Sequence, residues 1–329
     1  MVHFGIHERL AVTLSVCFYT IAALLMVTCN KWALVSLETP WLLLWCQTFI
    51  GVLLLLATDK GGMFRMPVLR WSVTKALAGL IVLNVAGLGL NTFCLLYVDT
   101  SYYLIARGLV LPFTVAFSFS ELGQRCSRSA IVACIIAVCG FYVGASSEFN
   151  FAGNLVGLAS CVATALHAVA VRKSLPAVSN SSIDLVYYNN VLSLILMTPI
   201  LLLSDEYSIL LDKYDFAGKR PFYGFMGAAL ITGVMGFIVN FAGFLQISRA
   251  SPASNMIAGV IRGVLQTLVG QMAFFDIINT GRLTGIALTL GAGALYTLTK
   301  DNISTEPIPK PNYIPMTLQE VDSDDEREK

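Results

Sequence analysis

Leu104-Ile-Ala-Arg107-Gly-Leu109 is echoed later in the chain by Gly259-Val-Ile-Arg262-Gly-Val264. Each stretch follows an asparagine-bearing apolar run, with Asn91 before the first and Asn240 before the second. Each is followed fourteen residues after its arginine by an acid, Glu121 and Asp276, and then by an arginine that opens the next apolar run, Arg128 and Arg282. Matched order and spacing of this kind mark an internal repeat, with halves at about 10–147 and 152–300.

Working outward, the repeat lies in a chain that lipid rather than water must dissolve. Of 329 residues, 56% are apolar and 12% charged. A soluble chain of this size carries about twice that charge. A hydrocarbon core about 30 Å thick takes about 20 helical residues. Runs of that length fall near 10–30, 40–58, 74–97, 100–120, 129–147, 152–172, 183–204, 221–246, 252–275 and 282–300. They are too long and too uniformly apolar for barrel strands, so the expected fold is an all-α membrane protein of about ten transmembrane helices. Five spans per half is an odd number, so the second copy is inserted upside down. Inverted 5+5 repeats belong to alternating-access carriers, whose site lies at the repeat interface near mid-membrane.

Lysine and arginine concentrate in the even-numbered loops, which places both termini, including residues 1–9, in the cytosol. The sequons at Asn180 and Asn302 then face the cytosol and stay unused. Residues 301–329 have an acidic end and several prolines, which reads as a disordered cytosolic tail. Tyr313-Ile-Pro-Met316 in it matches a short sorting signal. A net charge of +1 gives no electrostatic case for nucleic acid. The eight cysteines form no CxxC pair. There is no P-loop, HExxH or GxSxG, so neither enzyme chemistry nor a cofactor or metal is expected. The natural surroundings are membrane lipid, and a homodimer is one arrangement open to such a bundle.

The ionic and amide side chains inside the spans carry the functional reading. Arg107 and Arg262 sit several residues inside the fourth and ninth spans. A charge at that depth costs at least ~2.5–3.5 kcal/mol. An anionic ligand offsets this, since a guanidinium holds phosphate oxygens in a fork. Snorkelling, or pairing with Glu121 or Asp276, is the plainer alternative. In the seventh span, Val186-Tyr-Tyr-Asn-Asn-Val191 puts two amides side by side. Amides of Asn189 and Asn190 suit the edge of a nucleobase, with Tyr187 or Tyr188 stacking; interhelical hydrogen bonding is the alternative. Asn30-Lys31 closes the first span, and Lys31 either reaches a phosphate or marks the interface. Asn84, Asn91, Asn240 and Asn255 are further polar points, each singly more often helix glue. Tyr102 and Tyr103 read as interfacial belt residues, with lining the pocket as the alternative for both and Tyr103 the site candidate. His167 in the sixth span reads as a packing histidine, with proton coupling as the alternative.

Several stretches together resemble the GDP-fucose transporters, nucleotide-sugar carriers of the drug/metabolite transporter superfamily. They are Asn30-Lys31, Cys94-Leu95 with Tyr97-Val98, Arg107, Leu175-Pro-Ala-Val178, Tyr188-Asn-Asn-Val191, and Gln246-Ile247 with Ser251-Pro252. The resemblance is collinear along nearly the whole membrane portion. It implies that Asn189 and Asn190 bind guanine, that Tyr188 supports that end, and that GDP-fucose enters the Golgi (or ER) lumen in exchange for GMP. The related GDP-mannose transporters carry Gly-Ala-Leu-Asn-Lys in the ninth span, and GDP-fucose transporters a Gly-Thr-Ala-Lys stretch. Here it is Ala258-Gly-Val-Ile-Arg262, so Gly259 and the cation match but the polar partner becomes Ile261. This departure speaks against mannose. The rival within transport is a phosphorylated-sugar or phosphoenolpyruvate exchanger, which has no base for the asparagines to read. The rival outside it is a trafficking adaptor that uses the acidic tail.

Overall fold

In the computed structural model, residues 6–62, 66–122, 127–145, 151–179, 181–206, 208–209, 219–249, 252–274 and 279–300 are described. They form eleven α-helices and one 3₁₀ turn: α1 Ile6–Ser36, α2 Pro40–Lys60, α3 Trp71–Tyr97, α4 Thr100–Arg107, α5 Val110–Leu122, α6 Arg128–Ala145, α7 Phe151–Ser174, the 3₁₀ turn Leu175–Val178, α8 Ser182–Leu203, α9 Lys219–Arg249, α10 Pro252–Phe274 and α11 Thr280–Lys300. Eight stretches are long and apolar enough to cross a membrane, and one of them, Tyr102–Glu121, runs through both α4 and α5. With α10 and α11, of 23 and 21 residues, they complete the ten crossings expected from the sequence.

The fourth crossing departs from that expectation by being broken rather than continuous. α4 ends at Arg107, and the chain tightens through i→i+3 bonds, Gly108 N to Ile105 O at 3.0 Å and Leu109 N to Ala106 O at 2.9 Å. Pro112 lies just beyond. Proline offers no N–H and its ring crowds the carbonyl four residues back, which here belongs to Gly108. The break therefore falls immediately after the half-buried Arg107. A second unforeseen element is the 3₁₀ turn, which ends at Ser179 in the left-handed region (φ 53°).

Helix pairing respects the repeat. α1 packs along α9 as α7 packs along α3, α2 packs on α8, α4 on α10, and α6 on α11. Exchanging first-half for second-half helices maps this list onto itself. The α6–α11 contact is made by glycines. A Cβ at Gly285 would lie 2.7 Å from both Gly140 O and Gly144 Cα, so only glycine permits that backbone approach.

Helix ends are capped by distant partners as well as local ones. Ser181 opens α8, its hydroxyl accepting from Asp184 N at 3.3 Å. Thr39 gives α2 no side-chain cap. Instead the Glu206 carboxylate accepts from Leu42 N at 2.8 Å and Trp41 N at 3.2 Å. An anion suits a helix N-terminus, where backbone N–H groups lack partners.

Candidate functional site

Each of the two repeat arginines is held by a tyrosine, Arg107 by one on its own helix and Arg262 by one on a distant helix. Arg107 donates to Tyr103 Oη at 3.0 Å and to Asn91 Oδ1 at 2.8 Å, and lies 5.5 Å from the Tyr103 ring centroid. Arg262 donates to Tyr19 Oη at 3.0 Å and lies 5.3 Å from that ring's centroid. Each guanidinium is thus held by one phenol, through both its hydroxyl and its face. Among the described residues no carboxylate forms an ion pair with either arginine. Glu121 pairs with Lys173 at an exposed position instead, and Asp276 lies outside the described residues. α4 and α10, which carry the arginines, also pack on each other.

Polar bonds tie the surrounding helices together. Asn91 on α3 donates to Thr164 Oγ1 on α7 at 3.1 Å, while its oxygen serves Arg107. One amide therefore joins α3, α4 and α7 with donor and acceptor both satisfied. Asn84, two turns earlier on α3, donates to Ser193 Oγ on α8 at 2.9 Å. Gln47 on α2 donates to Asn30 Oδ1 at 2.7 Å and to Thr232 Oγ1 at 2.9 Å, joining α1, α2 and α9.

Lys31 is buried well before the end of α1, which continues to Ser36. Its ammonium donates to Leu95 O at 2.6 Å and Val98 O at 2.7 Å. Those carbonyls belong to the last turn of α3 and to its C-cap, where a cation meets the negative end of the helix dipole. Directly after them, Asp99 accepts from Arg282 at 2.7 Å, linking the α3–α4 junction to α11.

The paired asparagines of α8 differ from each other. Asn190 Nδ2 donates to Val186 O one turn back at 2.8 Å. Asn189 Oδ1 is buried without a hydrogen-bond partner among the described residues. His167 Nε2 on α7 is in the same condition. A buried polar atom left alone costs about 1–3 kcal/mol, so each is an open hydrogen-bonding position among the described residues. Tyr188 is buried, and its hydroxyl donates to Val68 O and accepts from Arg70 N, each at 2.9 Å. Its ring packs among Leu77, Leu80, Ile81 and Leu185.

The structure thus brings Arg107, Tyr103 and Asn91 together, and sets Arg262 against Tyr19. Tyr102 is buried within the bundle and bonded to Asn154 Oδ1. Asn240 lies on α9, and Asn255 and Gly259 on α10, in stretches described by helix course alone, so their surroundings lie outside the description. Tyr19 is the participant that the sequence did not point to. It lies on α1, which packs against both α9 and α10, a placement that no local sequence feature displays.

Comparison with known proteins gives this arrangement a family. The Triose-phosphate Transporter family profile matches residues 9–297. A Dictyostelium discoideum protein named GDP-fucose transporter 1 is 28% identical over 302 residues, covering 86% of this chain and 79% of its own. A Drosophila melanogaster protein named "GDP-fucose transporter, Golgi" is 26% identical over 313 residues, covering 90% and 91%. A solved structure described only as "Crystal structure of protein" superposes with a TM-score of 0.53 at 18% identity, covering 91% of this chain and 99% of that one. At that identity the likeness is one of fold. With the family profile spanning nearly all ten crossings and a helical repeat to match, the chain belongs to the Triose-phosphate Transporter family.

Proposed function

We propose that this chain is a nucleotide-sugar antiporter that carries GDP-fucose into the Golgi lumen in exchange for GMP. The observation that carries the reading is the pair of guanidiniums, one per half, each held by a neutral phenol rather than a carboxylate. Two positive charges inside the spans retain their attraction for an anion. Phenol contacts satisfy donors without cancelling charge, so phosphate oxygens can replace them. Among relatives, proteins named for GDP-fucose support the sugar, and the one named for the Golgi supports the location.

In this reading Arg107 and Arg262 neutralise the phosphates, with Tyr103 and Tyr19 as their resting partners. Asn189 offers its unpartnered carbonyl oxygen to donor groups on the guanine edge, and Asn190 lies beside it. Tyr188 supports that end from behind by fastening the segment before α3. Lys31 and Asn30 belong to the packing that frames the chamber, as their contacts with α3 and α2 suggest. Asn240, Asn255 and Gly259 are the second-half candidates of this reading. Exchange follows because the charged chamber is costly to leave without an anion during the transition between faces.

The direct test is uptake of labelled GDP-fucose by vesicles containing purified protein. Vesicles preloaded with GMP are expected to take up label several-fold faster than empty ones. Equal uptake by loaded and empty vesicles contradicts exchange.

A further inference from the structure

His167 is half-buried, with its Nε2 fully covered, and the phosphate and base contacts leave it without a task. Its Nε2 has no hydrogen-bond partner among the described residues, like Asn189 Oδ1. The helix register places both relative to Arg107. α3 and α8 run in the same direction through the bundle and α7 runs oppositely, as their order of crossing requires. Asn91 marks the level of Arg107. Asn84, seven residues earlier, lies about 10 Å further along α3 and on the same side of it.

α7 and α8 are tied to that side of α3. Asn91 bonds to Thr164. Gly87 faces Ala163, whose Cβ would stand 3.9 Å from a Cβ there. His167 is three and four residues beyond these two, on the same face of α7. It is therefore displaced about 5 Å beyond them toward the start of α3. On α8, Asn84 bonds to Ser193. Asn189 is four residues before Ser193, on the same face and about 6 Å further again toward the start of α3. The order along the bundle is then Arg107, His167, Asn189.

A nucleotide has the same order: phosphate, ribose, base. We propose that His167 is the ribose contact of this site, its Nε2 hydrogen-bonding a sugar hydroxyl of the nucleotide. The inference rests on the nucleotide reading given above and assigns to it a subsite with its own specificity. A hydroxyl both donates and accepts, so it complements either neutral tautomer of the imidazole. Thr164, one turn away, accepts from Asn91 and forms no hydrogen bond with His167 Nε2.

The experiment is competition against labelled GMP exchange in proteoliposomes, with GMP, 2′-deoxy-GMP and 3′-deoxy-GMP as competitors. In the wild-type protein at least one deoxy analogue is expected to compete about ten-fold more weakly than GMP. In His167→Leu that difference should fall to within about two-fold, while GMP still competes better than UMP. His167→Gln, which keeps a donor and an acceptor at similar reach, should retain part of it. Equal potency of all three nucleotides on the wild-type protein overturns the assignment without need of any variant. So does a full distinction surviving in His167→Leu. Failure of the wild-type protein to exchange GMP at all overturns the nucleotide reading first, and this subsite with it.

Discussion

Arg262 on α10 reaches Tyr19 on α1, donating to its hydroxyl at 3.0 Å with the guanidinium 5.3 Å from the ring centroid. The contact joins residues 243 positions apart, across the two halves, with the same chemistry that Arg107 has with Tyr103 on its own helix. Arg262→Ala removes the charge and is expected to abolish GMP exchange in proteoliposomes. Arg262→Lys keeps the charge but not the fork, and should retain a reduced rate. Tyr19→Phe keeps the ring face and loses one hydrogen bond, so its effect should stay within about ten-fold. Unchanged exchange by Arg262→Ala contradicts the phosphate role.

Asn189 supplies the acceptor for which no protein donor is found among the described residues. Asn189→Ala should narrow the advantage of GDP over UDP as a competitor, by about ten-fold for one lost bond in a buried site. Identical GDP and UDP competition in variant and wild type removes the base assignment.

The two ion pairs differ in exposure and should differ in worth. Arg282 is 3% exposed in its side chain and faces Asp99 across the halves. Lys173 and Glu121 are 46% and 51% exposed. Asp99→Asn should lower stability by about 1–3 kcal/mol, below the full cost of breaking a buried pair because Asp99 is partly solvated. Glu121→Gln should cost about 0–1 kcal/mol. Thermal melting of the two variants in detergent checks the ranking, and equal losses contradict it.

Glu206 lies beyond the end of its span and is buried at the α2 N-terminus. Burial pushes its carboxyl above the ordinary glutamate range, against the opposing pull of the Leu42 and Trp41 N–H groups. A raised folded-state pKa means the folded protein holds this proton to higher pH than the unfolded chain. The resulting stability is present below the ordinary glutamate pKa and is lost as pH rises through the raised value. Melting temperature followed upward from pH 4 should fall more for wild type than for Glu206→Gln. Parallel curves contradict the assignment.

What could be read from the chain follows from what lipid enforces. Every span must be long and apolar, so the ten crossings stand out. A guanidinium in such a run is costly, so Arg107 and Arg262 announce themselves. The break after Arg107 needed Pro112 to be read together with Gly108, and a continuous run of apolar residues masked it. Tyr19 was hidden because its partner lies on a distant helix and a tyrosine in a span has no local signature. Lys31 showed the same limit: its charge was visible, but the α3 carbonyls that receive it were not. Tyr188 stood in a suggestive motif, yet which face of α8 meets the core is decided by packing against α3. The amide pair likewise gave no sign that Asn190 would bond its own helix and leave Asn189 open.

The central claim is that a nucleotide occupies the space served by both arginines and by Asn189. The measurement that meets it most directly is a competition panel against labelled GMP exchange in vesicles containing the purified protein. GMP, GDP and GDP-fucose should compete strongly, UMP and UDP-sugars about ten-fold or more weakly, and phosphoenolpyruvate and sugar phosphates weakly or not at all. Competition by phosphoenolpyruvate or sugar phosphates equal to that by GMP would contradict the account.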